Sequence, residues 1–275
     1  MKIKIYQSFF DHSQINLLTP EFTPFDNSKN DPDLRETGIQ MGCYTDAIAS
    51  NTDIWGVFSW KWKEKLPNLS ASQILSYLEN NPGYDVYFFN PFSELESYVP
   101  NMWEQGQNYH PNMLAICKEL FPYLGLDVNL LYEPMSYNTI CWSSFYLGNK
   151  KFWDEWLALI KRYLNCIEFL PESIKKYHNS SANYIYDTEL WYFPFIQERL
   201  FSTFILANKH RFLVKGFSHG VEQLDDFHLK LRAMKHQAVE MGDLNLLKKW
   251  NQIRFQRYNP GTDLIPVWEQ IKTSL

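Results

Sequence analysis

NNPGYDVYFFNPF, residues 80–92, is the stretch whose reading decides the fold. Its centre, Tyr84-Asp85-Val86-Tyr87-Phe88-Phe89, is short, aromatic and β-branched, fenced by Pro82-Gly83 before and Asn90-Pro91 after. An apolar run of that length between turn signals predicts a largely buried strand. In open α/β sheets ligands sit outside the carboxyl ends of the strands. The polar residues of this segment, Asp85, Tyr87 and Asn90, are therefore the first candidates for ligand contact.

Working outward, KIKIYQSFF (2–10) and DIWGVFSW (53–60) read as further strands, and 141–147 as another. Helical spacing runs through 34–49 in parts, through 70–80 with Ser70 as N-cap, and through 111–123. It is strongest in 149–163, where Phe152, Trp153, Trp156, Leu157 and Ile160 recur every three or four residues. Helices are also predicted over 191–207 and over 221–250, the latter broken near Gly242-Asp243. Residues 11–35 and 171–183 read as loop, and 100–106 as a turn or short helix. Strands alternating with helices predict a mainly parallel central sheet flanked by helices. The expectation is one α/β domain over 1–275, with an α/β core over 1–215 and a helical C-terminal part over 216–275.

Composition narrows the function. Twenty-six Lys and Arg against 31 Asp and Glu give a net charge of -5. No basic arm or stripe is present, which argues against nucleic acid as a partner. Cys43, Cys117, Cys141 and Cys166 lie far apart with no CxxC pair and read as reduced, buried thiols of a cytoplasmic protein. No apolar run approaches the ~20 residues needed to span a bilayer, and the chain enters a strand at its first residues, with no signal peptide in view. With 11 glycines and neither GxGxxG nor GxxxxGK[ST], a dinucleotide fold or P-loop enzyme is not expected. HExxH and GxSxG are also missing.

Four places carry chemistry. Asp85 and Tyr87 stand at i and i+2, on one face of a strand. An Asp-x-Asp pair there would hold Mg²⁺ or Mn²⁺ on two phosphates, but the second position is a phenol, better suited to a phosphate or ribose. Gln197-Glu198-Arg199 interrupts the apolar tracts FPFI and LFSTFIL, so the charges must be partnered or face a cleft. Glu198 is a candidate general base and Arg199 a candidate phosphate ligand. In FSWKWK (58–63), Ser59 and Lys61 stand where the second strand ends; Lys61 or Lys65 could neutralise a diphosphate, and Trp60 or Trp62 could stack on a base or sugar. WEQGQNYHP (103–111) reads as a loop rich in hydrogen-bonding groups, of a composition that suits carbohydrate or nucleotide. At each place the plainer structural role, a strand cap, a helical ion pair, a solvated charge cluster or an ordinary histidine, competes with the functional one.

The order KIKIYQSFF, GVFSWKWKEK, PGYDVYFFNPF, CWSSFYLGNKKFWDEW, QERLFSTFIL resembles bacterial GT-A-type glycosyltransferases of cell-surface polysaccharide (lipopolysaccharide O-antigen or capsule) biosynthesis, over roughly the first three quarters of the chain. The resemblance implies a nucleotide pocket at Tyr6 and Gln7, with Ser59, Lys61, Asp85, Tyr87, Asn90 and Arg199 completing the donor site. It implies an acceptor wall at Trp103, His110 and Trp142, and Glu198 as the base of an inverting transfer. Asp85-Val86-Tyr87 departs from the family's Asp-x-Asp. Either Asp85 alone serves a Mn²⁺ or Mg²⁺ ion, or the reaction is metal-independent and Lys61 meets the diphosphate. Implied partners are a nucleotide sugar, UDP-type, and a glycan acceptor. Lys230, Arg232, Lys235, Lys248, Lys249, Arg254 and Arg257 form a candidate peripheral docking face for the inner side of the plasma membrane. The alternative is a non-catalytic carbohydrate-binding or polysaccharide-assembly protein. A nucleotidyltransferase or hydrolase on a similar sheet is a third reading. The expectation that joins these residues is that the carboxyl edge of the sheet gathers Asp85, Lys61 and Glu198 around one cleft.

Overall fold

The strand predicted from residues 80–92 forms as β4, Val86–Asn90, with all five residues buried. It belongs to a six-stranded sheet in a computed structural model that describes residues 1–182, 190–258 and 261–274. The strands are β1 (Ile3–Phe9), β2 (Thr23–Asp26), β3 (Ile54–Ser59), β4, β5 (Tyr146–Gly148) and β6 (Val214–Ser218). Their order is β2-β1-β3-β5-β4-β6. Pairing is parallel except for β5, which runs antiparallel to both β3 and β4. The helices are α1 (Arg35–Ala49), α2 (Trp62–Lys65), α3 (Ala71–Asn80), α4 (Leu95–Tyr98), α5 (Met102–Tyr109), α6 (Met113–Leu124), α7 (Lys150–Cys166), α8 (Glu172–His178), α9 (Phe193–Ala207), α10 (Asp226–Met241), α11 (Leu244–Tyr258) and α12 (Ile265–Ser274).

Two compact units divide the chain. The first comprises Met1–Pro91, Ser143–Ile160 and Asn208–His219, and the second Phe92–Trp142, Lys161–Ala207 and Gly220–Leu275.

In the first unit the two faces of the sheet are covered by different helices. Ile5, Ile54, Phe58, Tyr87, Phe89 and Leu147 pack with Trp62, Leu66, Ile74 and Leu78 around α2 and α3. Burial of these apolar side chains is the main stabilising term, at about 1.5–3 kcal/mol for each large one. α3 starts where Ser70 predicts it: the Ser70 hydroxyl accepts from Gln73 N at 3.2 Å, and Ser70 N donates back to Gln73 Oε1 at 2.8 Å. On the opposite face Trp55 stacks on Trp153 of α7, ring centres 4.0 Å apart. Gln40 of α1 donates to the Tyr146 hydroxyl (2.8 Å) and accepts from Trp156 Nε1 (3.1 Å). β5 can lie against β3 because residue 56 is glycine: a Cβ there would stand 2.3 Å from the Tyr146 carbonyl oxygen.

Both edge strands depart from the reading of the sequence. β2 lies within 11–35, read as loop; it carries Pro24, which has no N–H to donate and is tolerated because β2 pairs only with β1. β6 begins at 214, so the predicted boundary at 215/216 cuts a strand, and helix resumes with α10. β5 occupies 146–148 and overlaps the predicted 141–147 only at its last two residues. Within 171–183, Glu172–His178 is helical, and residue 183 lies outside the described residues.

The second unit is helical. α9 is apolar nearly all round and buries Phe193, Ile196, Leu200, Phe201 and Phe204. Trp103 of α5 lies against Phe121 of α6 and donates Nε1 to Thr203 Oγ1 of α9 at 2.9 Å. α10 ends at Gly242, in the left-handed region at φ 65° as the Gly-Asp break predicts. Asp243 then accepts from Leu246 N at 3.0 Å and starts α11. No helix among the described residues is long and apolar enough to cross a membrane.

Of the seven cations proposed as a docking face, Lys235 and Arg254 are buried and Arg232 pairs with Glu96 at 2.5 Å. The spacing of charges along α10 and α11 therefore does not describe one solvated face.

Lys235 makes a pH-dependent contribution to stability. Its ammonium donates to the Val99 carbonyl at 2.6 Å, and Glu96, Glu104, Arg232 and Arg254 are the charges that act on it. Burial pushes its pKa down to about 7, against the pull of Glu96. A base whose folded value lies below its unfolded one binds protons more weakly when folded, so stability rises as pH climbs through that interval. The destabilisation is complete below about pH 7 and is relieved towards the ordinary lysine value. Lys235→Met should therefore gain stability relative to the parent as pH falls from 10 to 7, read from thermal melts at pH 6, 8 and 10. A difference that does not change with pH would refute this assignment.

Candidate functional site

The carboxyl ends of the parallel strands bring together residues that the sequence scatters. After β1 the chain turns to β2 on one side, and after β3 it travels through α2 and α3 to β4 on the other. The connections diverge between β1 and β3, the topological switch point where ligands bind in open α/β sheets. Ser8 and Ser59 are register partners at this point, and Gln7 faces Phe58 one step earlier. Just beyond the strands, Phe10 is 56% exposed and lies edge-on to Trp60, ring centres 6.2 Å apart. Lys61 Nζ stands 4.8 Å from the Trp60 ring centre. β4 ends at the buried Asn90, the register partner of Ser218, and Asn90 O accepts from His219 N at 2.8 Å.

Gln7 is the buried member of this set. Its Oε1 accepts from Thr19 N at 2.6 Å, while Nε2 has no partner among the described residues. Thr19 is fixed in turn by Trp62, whose Nε1 donates to Thr19 Oγ1 at 3.1 Å. A buried amide with one unsatisfied end is uncommon and calls for an explanation such as a water or a ligand. Because β5 is antiparallel, its beginning lies at this same edge. There Ser143, a non-glycine residue at φ 71°, accepts from Lys65 Nζ through Oγ at 3.0 Å.

Other predicted donor residues are placed differently. Asp85 precedes β4 and lies at the amino end of the sheet, separated from Asn90 by the length of the strand, roughly 16 Å at 3.3 Å per residue. Its carboxylate accepts from Asn149 Nδ2 (2.7 Å) and Leu213 N (2.8 Å), joining the starts of β4, α7 and β6. This corrects the expectation that Asp85 shares an edge with Lys61. Tyr87 points into the apolar cluster beneath α3 and donates its hydroxyl to Asn81 O at 2.6 Å. Tyr6 points to the opposite face and donates to the Asp46 carboxylate, which also holds Lys4; burial raises the Tyr6 phenol well above its ordinary value. Among the described residues no group of three His, Cys, Asp or Glu side chains is placed to hold a metal ion.

In the second unit the predicted loop 103–111 is largely helix, with Trp103 in the core and His110 as the C-cap of α5. Trp142 is buried with Val99, Met102, Met135 and Ile140. His110 is buried against Phe195 and its Nδ1 lies 2.6 Å from Ala182 O. Burial lowers the His110 pKa, opposed by the Ala182 carbonyl, while Arg199 lowers and Glu198 raises it. Arg199 is buried, donating Nη1 to Phe195 O (2.8 Å) and Nη2 to Gln105 Oε1 (2.6 Å). Gly106 makes room for it, since a Cβ there would stand 2.5 Å from Arg199 Nε. Glu198 is only partly buried, unlike its neighbours Gln197 and Arg199. Phe10 reads in the sequence only as the end of a strand, and the contact of Lys65 with Ser143, 78 residues away, has no signal there.

No protein-family model matches the chain, and no curated protein matches it. One solved structure does: the WbbM bifunctional glycosyltransferase in its apo form, with a TM-score of 0.50 and 14% identity. The likeness covers 79% of this chain and 45% of that one, so the chain corresponds to less than half of WbbM. At this identity the likeness is one of fold: a mainly parallel α/β sheet flanked by helices.

Proposed function

We propose that the protein transfers a sugar from a nucleotide-sugar donor to a saccharide or lipid-linked glycan acceptor. One observation carries the reading: the β1/β3 switch point presents an aromatic pair (exposed Phe10 against half-buried Trp60), a lysine, a serine and a buried amide at the edge where α/β sheets bind nucleotides. Phe10 and Trp60 stack on the base, Gln7 Nε2 donates to the base or ribose, and Ser59 and Asn90 line the donor. Lys61 meets the negative charge that develops on the leaving diphosphate. The likeness to a glycosyltransferase fold supports this reading, with fold alone insufficient to assign chemistry.

The finer points belong to the same proposal. A UDP-type donor fits a site built from stacking rings and one reading amide. Glu198, the partly exposed acid in a helix of buried side chains, is the base that takes the acceptor proton in an inverting displacement; Glu198 and Arg199 both act on the buried His110 of the same unit. The donor groups of the edge among the described residues are hydroxyl, amide and ammonium, which suit a diphosphate; a Mn²⁺ or Mg²⁺ ion brought with the donor and a metal-independent reaction are both compatible with them. Cell-surface polysaccharide assembly, at the inner face of the plasma membrane, is the setting that such an acceptor implies.

A screen of nucleotide sugars for thermal shift, donor hydrolysis and nucleoside diphosphate release, with and without Mn²⁺, tests the proposal. A stabilising donor should release nucleoside diphosphate, and Lys61→Met should weaken its binding roughly 10-fold or more, the scale of one hydrogen bond to a charged group. Glycan binding without any nucleotide binding would instead favour a carbohydrate-binding module. Release of pyrophosphate would mark a nucleotidyltransferase.

A further inference from the structure

We propose that Lys65, positioned by Ser143, joins Lys61 in a two-cation clamp for a diphosphate at the carboxyl edge of the sheet; this deepens the sugar-transfer reading and rests on it for the identity of the ligand. Lys61 caps and Lys65 ends the single turn of α2. Residues four apart on a helix turn lie on the same side, about 5–6 Å between their Cβ atoms. Two like charges so placed disfavour each other. Neither Lys61 nor Lys65 forms an ion pair with a carboxylate among the described residues, and Glu64 between them pairs with neither. A pair of uncompensated ammonium groups spanning one turn matches the two neighbouring phosphates of a diphosphate, which supplies the charge that the protein does not.

Ser143 makes the arrangement more than a surface charge cluster. It is 4% exposed, and its Oγ accepts from Lys65 Nζ at 3.0 Å. Its backbone sits at φ 71°, a region that serine rarely adopts and that is retained where the surroundings enforce it. The chain there leads into β5, which runs antiparallel to its neighbours, so its start meets the carboxyl ends of β3 and β4. Lys65 also stands 6.0 Å from the ring centre of Phe145, which itself packs in the core beneath α3. One ammonium hydrogen is thus used to fix Lys65 and two remain for an anion.

Calorimetric titrations in EDTA, with uridine diphosphate, inorganic pyrophosphate and uridine as separate probes, test the clamp in the parent, Lys65→Met, Lys65→Arg and Ser143→Gly. Lys65 is exposed, so its substitution leaves the core intact, and circular dichroism checks this. Lys65→Met should weaken uridine diphosphate and pyrophosphate binding roughly 10–100-fold, the range for a hydrogen bond to a charged group, and leave uridine unaffected. Lys65→Arg should keep most of the affinity. Ser143→Gly, which accepts the same φ, should lose a smaller part of it. Equal uridine diphosphate affinity in the parent and Lys65→Met overturns the clamp while leaving the nucleotide reading intact. Lys65-dependent binding of pyrophosphate without any binding of uridine diphosphate upholds the anion site and removes the nucleotide reading.

Discussion

Glu198→Gln should lower the rate of sugar transfer by roughly 10²–10⁴-fold, the contribution of a positioned general base. The substitution is isosteric and keeps the α9 helix, so nucleoside diphosphate affinity and the melting temperature should stay at the parent values. The effect should fall on kcat, because the proton is taken only as the acceptor attacks. Phe193–Ala207 buries both neighbours of Glu198, Gln197 and Arg199, and leaves the acid itself partly open. A variant that turns over at the parent rate removes Glu198 from the mechanism.

Arg254→Met should give the largest loss of stability. Arg254 is 1% exposed and uses all five of its N–H donors: Nε to Asn251 Oδ1, Nη1 to Tyr98 O and Glu104 Oε1, Nη2 to Glu104 Oε2 and Asp263 Oδ1. Glu104 is equally buried, and its other donor among the described residues is Leu264 N at 2.9 Å. Burial raises the Glu104 pKa even against Arg254, so desolvation outweighs the attraction of its partner. Removing the guanidinium leaves that carboxylate stranded, at a cost of about 3–5 kcal/mol, or roughly 6–20 °C in Tm for a chain of this size. The double variant Arg254→Met, Glu104→Leu should recover much of the loss, since an apolar replacement of a buried pair is often neutral. A single variant that melts within a degree of the parent would show that the network contributes little.

The parts of the fold that were legible are those whose local pattern and tertiary burial agree. β1, β3 and β4 are apolar strands with turn signals at their ends, and α7 carries five apolar residues at helical spacing. The edge strands were hidden for the opposite reason. Thr23–Asp26 and Val214–Ser218 pair on one side only and bury their side chains partly, so they lack the continuous apolar run of a central strand. The register of β5 against β3 depends on Gly56, which no short-range pattern announces.

At the site, the end of β3 was legible because Ser59 and Lys61 follow an apolar strand directly. Asp85 misled because a strand pattern shows that a polar residue stands at an end but does not by itself show which end faces a ligand. Its carboxylate joins Asn149 and Leu213, contacts 64 and 128 residues away in sequence. Trp103 and His110 sit in a segment whose Gly, Gln and Asn content reads as loop, yet Asn101 caps a helix there by accepting from Trp103 N (3.0 Å) and Glu104 N (2.9 Å). That cap turns the indole inward.

A crystal structure of the protein with uridine diphosphate bound locates the donor directly. The phosphates should lie within hydrogen-bonding distance of Lys61 Nζ, beyond the ends of β1 and β3, with the base against Trp60. Electron density for the nucleotide at the opposite end of the sheet, beside Asp85 and Asn149, would contradict the assignment of that edge.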